Sequence, residues 1–520
     1  MSPNRRLLAV AALAALLAFS LAAAKEPAAK PVTPEAALSR LKAGNQRFVD
    51  GKATHPRTDD VRRKETVKDG QHPFVTVLAC ADSRAPVERI FDQGIGDVFV
   101  IRVAGNVADT DEIGTIEYGV GHLHTPLVVV LGHSSCGAVT AVAEGAEVHG
   151  HIAELVDNIK PAVERARQEK PTAKGPELVA AAIEANVWQS VEDLLHRSDE
   201  VREKVAEKQV RVIGAIYDLE SGVVAWLGEH PRQTALLGSK DTDAHADADH
   251  APGMGTAVAG HTEARAQSHG DDSDGHQHAT PTKDAAPKPN ATPARPGPNA
   301  TPDEVLAYLR LGNRTFAAGE STLPRLDATR RKETATGGQH PLVTVLSCSD
   351  SRVPVEALLN QGVGDVFIVR VAGNVADTDE IGSIEYGVEH LHTPVLLVLG
   401  HTSCGAVTAV ATGAEVSENI AKLTRHIQPA VEAARAKAAG AKGEQLVRAA
   451  TEANVWQSIS TVFARSAHVR ELVSAGKLKV IGAIYDLETG KVNWLGEHAE
   501  QARLLETGPR GSTEHTSGHP

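Results

Sequence analysis

The chain has 520 residues, a formal net charge of −13 and 42% hydrophobic residues, but aromatic residues make up only 3%. This length exceeds what one ordinary hydrophobic core accommodates, and the aliphatic content is sufficient for cores built from valine, isoleucine, leucine and alanine. The acidic balance lacks the basic surface that nucleic-acid binding requires, so we expect no nucleic-acid partner.

Residues 1–24 have the pattern of a secretory signal peptide. Arg5 and Arg6 give a basic start, an apolar run covers residues 7–21, and the alanines at 22–24 offer a cleavage site. An uncleaved anchor helix is the alternative, but the run is short for a membrane span. We therefore expect an exported bacterial protein, periplasmic or secreted, with no membrane span after signal cleavage.

One pattern then occurs twice. It begins at Thr33 and again at Thr301, and each residue of the second copy lies 268 positions after its counterpart. The repeat period is a whole domain, which excludes a solenoid. The predicted organisation is a signal peptide at 1–24, domains at 33–237 and 301–508, a linker at 238–300 and a disordered tail at 509–520.

Within each copy, predicted strands and helices alternate. Thr33 and Thr301, each followed by proline, predict helix starts, so each copy should begin with a helical arm. The first copy has near-continuous apolar runs, typical of a parallel sheet covered on both faces, at 74–79, 98–103, 127–131 and 210–216. Helical patterns lie at 113–123, 137–146, 152–168 and 176–195. This alternation predicts an α/β fold with a mainly parallel sheet flanked by helices.

The segment between the copies changes character. Residues 238–298 are rich in Asp, Ala, Gly and Pro and have no apolar periodicity, so we expect a disordered linker. Its six histidines are His245, His250, His261, His269, His276 and His278. These histidines could collect zinc for sites elsewhere in the chain, or the segment could be a solvated spacer.

All four cysteines belong to two sets of metal-ligand residues with identical spacing. The first set is Cys80, His133 and Cys136, and the second is Cys348, His401 and Cys404. Two thiolates and one imidazole suit zinc and leave a fourth tetrahedral position for water or substrate, as in catalytic sites. A pair of disulfides is the alternative for an exported chain, but the accompanying histidines and charged residues favour zinc.

A charged pair follows the first cysteine of each set. Asp82 and Arg84 recur as Asp350 and Arg352. On an extended segment, residues two apart point the same way, so both side chains should face the metal. An arginine that binds the carboxylate through two hydrogen bonds would keep it ionised and fixed.

The order Cys-x-Asp-Ser-Arg followed by His-x-x-Cys resembles the β-class carbonic anhydrases. The similarity extends to Gln71, nine residues before Cys80, and to the motifs Gly-Asp-Val-Phe at 96–99, Arg-Val-Ala-Gly-Asn at 102–106 and Ile-Glu-Tyr at 116–118. The second copy repeats these features. The resemblance covers most of the chain after the signal peptide.

This resemblance implies two tandem β-carbonic-anhydrase-like domains, each with one Zn²⁺, so two active sites per chain. Each site would hydrate carbon dioxide reversibly to bicarbonate and a proton by means of zinc-bound hydroxide. Asp82 and Asp350 would orient that hydroxide or become a fourth zinc ligand. The arms in this family lie over a neighbouring subunit and the pockets lie at a dimer interface, which implies an intramolecular pseudo-dimer or a homo-oligomer.

The resemblance also assigns residues around the metal. Gln71 and Gln339 would donate a hydrogen bond to carbon dioxide or bicarbonate, and His122 and His390 occupy the position of a proton-transferring histidine. The apolar wall of the substrate pocket would consist of Phe99, Tyr118, Phe367 and Tyr386.

Two other functions use the same ligands. Relatives of this fold hydrolyse carbon disulfide or carbonyl sulfide, and pocket shape rather than motif separates them. A non-enzymatic zinc store is the other possibility, although storage would not need Gln71, Asp82 and Arg84.

Overall fold

The computed structural model describes residues 32–238, 294–438 and 440–507. The predicted signal peptide, the tail at 509–520 and most of the linker, including its histidines, lie outside these residues. Among the helices that are described, none has the length and apolar character needed to cross a membrane.

Ten strands form one continuous sheet, five from each copy, which we call the first and second repeats. In the first repeat the strands are β1 Val75–Cys80, β2 Val98–Val103, β3 Leu127–His133, β4 Arg211–Tyr217 and β5 Val224–Gly228. In the second they are β6 Val343–Cys348, β7 Val366–Val371, β8 Val395–His401, β9 Lys479–Tyr485 and β10 Val492–Gly496. The strand order is β10-β9-β8-β6-β7-β2-β1-β3-β4-β5. Within each repeat the strands are parallel except the edge pairs β4–β5 and β9–β10.

Helices cover both faces of this sheet. Those of the first repeat are Pro34–Val49, Asp60–Asp69, Val87–Ile90, Thr110–Glu117, Gly137–Glu144, Gly150–Asp157, Lys160–Glu169, Pro176–Arg197, Asp199–Ala206 and Gln233–Gly238. Those of the second are Pro302–Ala317, Ala328–Gly337, Val355–Leu358, Thr378–Glu385, Gly405–Thr412, Glu418–Thr424, Gln428–Lys437, Gly443–Arg465, Ala467–Ser474 and Gln501–Thr507. Every residue of β1, β2 and β3 is buried, which is why these strands read as continuous apolar runs.

The α/β fold with a mainly parallel sheet is confirmed, and two local differences have simple causes. The helix expected at 152–168 is two helices, Gly150–Asp157 and Lys160–Glu169, because Pro161 occupies the first turn of the second. Strand β5 was not predicted, since only its first residue is buried and the continuous apolar signal is missing.

The two repeats join at the centre of the sheet. Strands β2 and β7 pair antiparallel where Arg102 faces Arg370. Each of these arginines forms an ion pair with the opposite repeat: Arg102 Nη1 lies 2.7 Å from Glu356 Oε1, and Arg370 Nη1 lies 2.7 Å from Glu88 Oε1. Both arginines are 1% exposed. Buried charges need partners, so each repeat supplies a counter-charge that the other requires.

The helical arms differ in detail from the family expectation. The first arm helix, Pro34–Val49, packs on its own repeat, where Asn45 Nδ2 donates to the carbonyl of Gly222 at 2.9 Å. The second arm helix, Asp60–Asp69, reaches the other repeat: Arg63 Nε donates to the carbonyl of Glu488 at 3.2 Å. Phe48 of the first arm helix also contacts the other repeat, since the guanidinium of Arg331 lies 4.6 Å from its ring centre.

Buried carboxyl groups from the helices Thr110–Glu117 and Thr378–Glu385 lie close together between the repeats. Burial, followed by repulsion from Asp377, raises the pKa of Glu380 from 4.5 to about 8. Burial and neighbouring carboxylates also raise the pKa of Asp111, Glu112 and Asp379. At Glu380 the folded chain therefore binds a proton that the unfolded chain releases as the pH rises above 4.5.

Glu380→Gln is expected to flatten the pH dependence of stability. A carboxyl whose folded pKa is raised contributes most stability below its unfolded pKa and loses it as pH rises through the folded value, here between about pH 4.5 and 8. Relative to the parent, the variant should gain stability over this range, by up to a few kcal/mol. Denaturant unfolding at pH 5 and pH 8.5 measures this, with the exposed Glu444→Gln as control. Equal pH slopes in parent and Glu380→Gln would contradict the assignment.

Candidate active sites

The first set of predicted metal ligands converges at the carboxyl end of the sheet. Cys80 ends β1, His133 ends β3, and Cys136 caps the helix Gly137–Glu144. One ligand atom from each of these residues lies within 4.8 Å of the others, and all three residues are buried. Parallel strands bring their carboxyl ends to one edge, which is where open α/β sheets bind ligands.

The distances between these ligands fit a zinc ion. Cys80 Sγ and Cys136 Sγ are 4.0 Å apart, about twice a disulfide bond length and close to the separation of two thiolates on one tetrahedral zinc. Both cysteines are free thiols, which rules out the disulfide alternative in this structure. The backbone N–H of Gly105 lies 3.3 Å from Cys80 Sγ and would stabilise a thiolate there.

His133 has one ring nitrogen without a hydrogen-bond partner, and this nitrogen is free to bind a metal together with the two cysteines. His133 Nδ1 lies 2.9 Å from the carbonyl oxygen of Ser134, to which it donates. Nε2 is then the nitrogen with a lone pair, and it is buried without a hydrogen-bond partner. A buried acceptor without a donor is costly unless a cation occupies the site, so this geometry fits a metal ion.

The second set reproduces the first. Cys348 Sγ and Cys404 Sγ are 4.0 Å apart, and His401 Nδ1 lies 2.9 Å from the carbonyl of Thr402. His401 Nε2 likewise has no hydrogen-bond partner.

The aspartate next to each metal site is held by its arginine. Arg84 Nε and Nη2 donate to the two oxygens of Asp82 at 2.9 and 2.6 Å. Burial opposes ionisation of Asp82, but Arg84 outweighs it and lowers the pKa of Asp82 to about 2. Asp82 Oδ2 lies 3.8 Å from His133 Nε2, so the carboxylate borders the metal position. The segment forms a turn, closed by Ala85 N on the carbonyl of Asp82, rather than the extended segment expected. Asp350 and Arg352 repeat this arrangement.

Each glutamine lies at the metal site of the opposite repeat. Gln71 Nε2 donates to Asp350 Oδ2 at 3.0 Å, and Gln339 Nε2 donates to Asp82 Oδ2 at 2.9 Å. Proximity in sequence places Gln71 beside Cys80, but the fold places it in the other repeat. Each glutamine is fixed by a serine of that repeat: Gln339 Oε1 accepts from Ser83 N and Oγ at 2.9 and 2.8 Å. Each site therefore contains a polar group from both repeats.

The aromatic residues also cross between repeats. A Cβ atom on Gly137 would lie 2.2 Å from the hydroxyl oxygen of Tyr386, and one on Gly405 would lie 2.2 Å from that of Tyr118. The glycine after the second cysteine therefore leaves room for a tyrosine of the opposite repeat. Burial and the charge of Asp350 raise the pKa of Tyr118, so it stays a neutral phenol.

Each tyrosine packs on a phenylalanine of its own repeat. The ring centres of Phe99 and Tyr118 are 6.0 Å apart, and those of Phe367 and Tyr386 are 5.8 Å apart. Phe367 belongs to a buried apolar cluster that includes Ala81, next to the first metal ligand of the opposite repeat.

A cavity of about 390 Å³ adjoins the second metal site. It is lined by Tyr118 and His122 of the first repeat and by Ala372, Ser403 and Gly405 of the second. His122 is exposed, and its ring centre lies 5.2 Å from that of Tyr118. An apolar cavity with a few polar groups is the usual form of a small-molecule site.

Sequence reasoning overlooked several residues that build these sites. Ser83 and Ser351 fix the glutamines, although both stand inside the quoted motif. Arg102 Nε and Nη2 donate to the carbonyls of Cys80 and Asp82 at 3.0 and 2.8 Å and so hold the loop that carries the first ligand. Arg102 also lies in a motif that marked the resemblance, but motif membership alone does not show a contact with Glu356, 254 positions away.

Comparison with known proteins finds a family match in each repeat. The family model described as carbonic anhydrase matches residues 75–224 and again 343–492. Carbonic anhydrase 2 of Mycobacterium tuberculosis is 39% identical over 193 residues, which are 36% of this chain and 90% of that protein. The carbonic anhydrase of Mycolicibacterium smegmatis is 37% identical over 195 residues, 37% of this chain and 92% of that protein. A tetrameric β-carbonic anhydrase from Sordaria macrospora is 27% identical with a TM-score of 0.30, covering 36% of this chain and 94% of its own.

The chain belongs to the carbonic anhydrase family, a family of lyases, and carries two domains of the β class in tandem. The two family matches include both predicted ligand sets. The family is zinc-dependent, and the Cys-His-Cys group of each repeat fits zinc.

Proposed function

We propose that this chain hydrates carbon dioxide reversibly to bicarbonate and a proton at two zinc sites. Cys80, His133 and Cys136 would hold one ion, and Cys348, His401 and Cys404 the other. The observation that carries the proposal is the convergence, in each repeat, of two free thiols and an unpartnered imidazole nitrogen beside an arginine-bound carboxylate. Zinc would supply a Lewis acid that acidifies a coordinated water, an effect best known from carbonic anhydrases themselves.

Asp82 and Asp350 would orient the attacking oxygen. A carboxylate with a pKa of about 2 remains ionised throughout the physiological range and can accept a hydrogen bond from the nucleophile. Both oxygens of Asp82 are bound by Arg84, which supports this orienting role over that of a fourth zinc ligand. The rigid pair fixes one direction for the hydrogen bond, and so directs a lone pair at the substrate carbon.

The crossing residues would bind the substrate. At the first site Tyr386 and Phe367 supply an apolar wall, which suits uncharged carbon dioxide, and Gln339 supplies an amide donor next to Asp82. His122, exposed at the mouth of the cavity by the second site, would carry protons to buffer.

We also propose that the repeats act as an intramolecular pseudo-dimer. Support comes from the β2–β7 pairing, from the two buried ion pairs across it, and from the exchange of Gln71 and Gln339 between sites. In this arrangement neither repeat has a complete site alone.

Replacing Asp82 and Asp350 together by alanine tests the mechanism. Turnover should fall on the order of 10²-fold, the scale of losing an acid–base or orienting partner, while two zinc ions per chain are retained. Stopped-flow carbon dioxide hydration with metal analysis of the same sample measures both. Loss of zinc in step with activity would mean that the aspartates are zinc ligands. In the parent protein, sulfide release from carbon disulfide that exceeds carbon dioxide hydration would reassign the substrate.

We also propose that the protein is exported from the cytoplasm. Arg5, Arg6 and the apolar run at residues 7–21 support it. Fractionation of the native host should recover the protein outside the cytoplasm, with a mature N-terminus near residue 25. Recovery of the full-length chain in the cytoplasm would exclude export.

A further inference from the structure

A third group of metal-ligand residues lies between the repeats, away from the cysteine sites. Asp111 stands in the first turn of the helix Thr110–Glu117 of the first repeat, and Asp377 caps the helix Thr378–Glu385 of the second. His426 lies in the turn between the helices Glu418–Thr424 and Gln428–Lys437. One ligand atom from each of the three residues lies within 4.8 Å of the others.

One unpartnered carboxylate oxygen in this group points to a cation. Asp111 is 6% exposed, and its Oδ2 is buried without a hydrogen-bond partner. Asp377 Oδ1 is bound by Arg465, which leaves Oδ2 facing His426 Nε2 at 3.4 Å. A buried carboxylate oxygen without a donor is destabilising unless a cation pairs with it.

The three residues of this group can be compared with their equivalents in the opposite repeats. The positions equivalent to Asp111, Asp377 and His426 are Asp379, Asp109 and Asn158, 268 positions away in each case. There Asn158 Nδ2 donates to Asp379 Oδ2 at 3.4 Å, so an amide satisfies the oxygen that corresponds to the unpartnered one on Asp111. The repeats are nearly identical around the zinc sites but differ here: His426 replaces the amide donor Asn158, and Arg425, whose charge acts on Asp111 and Asp377, replaces Asp157.

We infer that Asp111, Asp377 and His426 form a third divalent-cation site that joins the two repeats. Two carboxylates and one imidazole, without thiolate, suit a harder first-row cation such as Mn²⁺. His426 is 25% exposed, so water can enter and complete the coordination. Because ligands come from both repeats, the bound ion would stabilise their association.

Manganese binding to the zinc-loaded full-length chain tests this site, because Mn²⁺ competes poorly for thiolate ligands. Free aqueous Mn²⁺, followed by its electron paramagnetic resonance signal, should decrease by one equivalent per chain. His426→Asn, which copies the first repeat, and the isosteric Asp111→Asn should weaken this binding at least about 10-fold, the loss typical of disrupting a metal site. The matched controls Asn158→Ala and Asp379→Asn should bind Mn²⁺ as the parent does.

A second readout separates binding at this site from binding elsewhere. Mn²⁺ should raise the melting temperature of the parent and of the controls, but not that of His426→Asn or Asp111→Asn, whose two retained zinc ions show that they fold. No Mn²⁺ uptake by the parent would overturn the inference. Equal uptake by parent and His426→Asn would also overturn it, since the ion would then lie on other residues. Neither result depends on carbon dioxide hydration, so failure here leaves the proposed function intact.

Discussion

Cys80→Ser combined with Cys348→Ser is expected to remove essentially all carbon dioxide hydration, whereas either substitution alone leaves the activity of the intact site. Each cysteine supplies one of three metal ligands, and a serine hydroxyl is a poor zinc ligand. Zinc analysis should find two ions in the parent, one in each single variant and none in the double variant. If one substitution abolishes all activity while the other zinc remains bound, the sites are not independent in turnover.

The single variant provides a background in which the crossing glutamines can be assigned. In Cys80→Ser only the second site works, and its Asp350 receives its hydrogen bond from Gln71 of the first repeat. Adding Gln71→Ala should lower the remaining activity on the order of 10²-fold, as loss of a preorganised donor does. Adding Gln339→Ala should leave it unchanged, because Gln339 serves the inactivated site.

The Cys348→Ser background provides the reciprocal test of the two glutamines. In Cys348→Ser the effects of Gln71→Ala and Gln339→Ala should exchange. Dependence of each site on the glutamine of its own repeat would contradict the crossed arrangement. Equal losses from both glutamines in both backgrounds would instead indicate a general structural role, so melting temperatures are measured alongside.

The sequence predicted what local patterns determine. The β-branched runs that became β1 to β4 are buried on both faces, so apolar continuity marked them within about one residue at most ends, although β3 extends two residues further, to His133. The ligand sets were found because metal chemistry restricts residue type and spacing. Strand β5 and the break before Pro161 escaped prediction because exposure and a single proline alter a periodic signal only weakly.

The partner of each residue across the repeats could not be predicted from spacing. Gln71 is nine positions from Cys80 but bonds to Asp350, 279 positions away. The contacts between the repeats determine this, among them the pairing of β2 with β7 and two buried ion pairs. The family resemblance indicated an interface near the pocket, but the assignment of each side chain to a site required the structure.

Arg102→Met is expected to destabilise the chain by about 3–5 kcal/mol, the usual cost of removing one partner of a buried ion pair. Glu356 is 4% exposed and would lose its hydrogen-bonded counter-charge, keeping only the nearby charge of Arg89. The carbonyls of Cys80 and Asp82 would lose the guanidinium donor. Zinc affinity should therefore fall more at the first site than at the second, whose loop is held by Arg370.

A double-mutant cycle separates the ion pair from the loop contacts. Glu356→Leu added to Arg102→Met should restore part of the lost stability, since the carboxylate that lost its partner is then removed. Zinc affinity at the first site should stay reduced, because the carbonyls of Cys80 and Asp82 still lack the guanidinium donor. Denaturant unfolding and zinc competition with a chelator measure the two effects, and the exposed Arg448→Met serves as control. Additive losses in the double variant would show that Arg102 and Glu356 act independently and would remove the ion pair as a cause of repeat association.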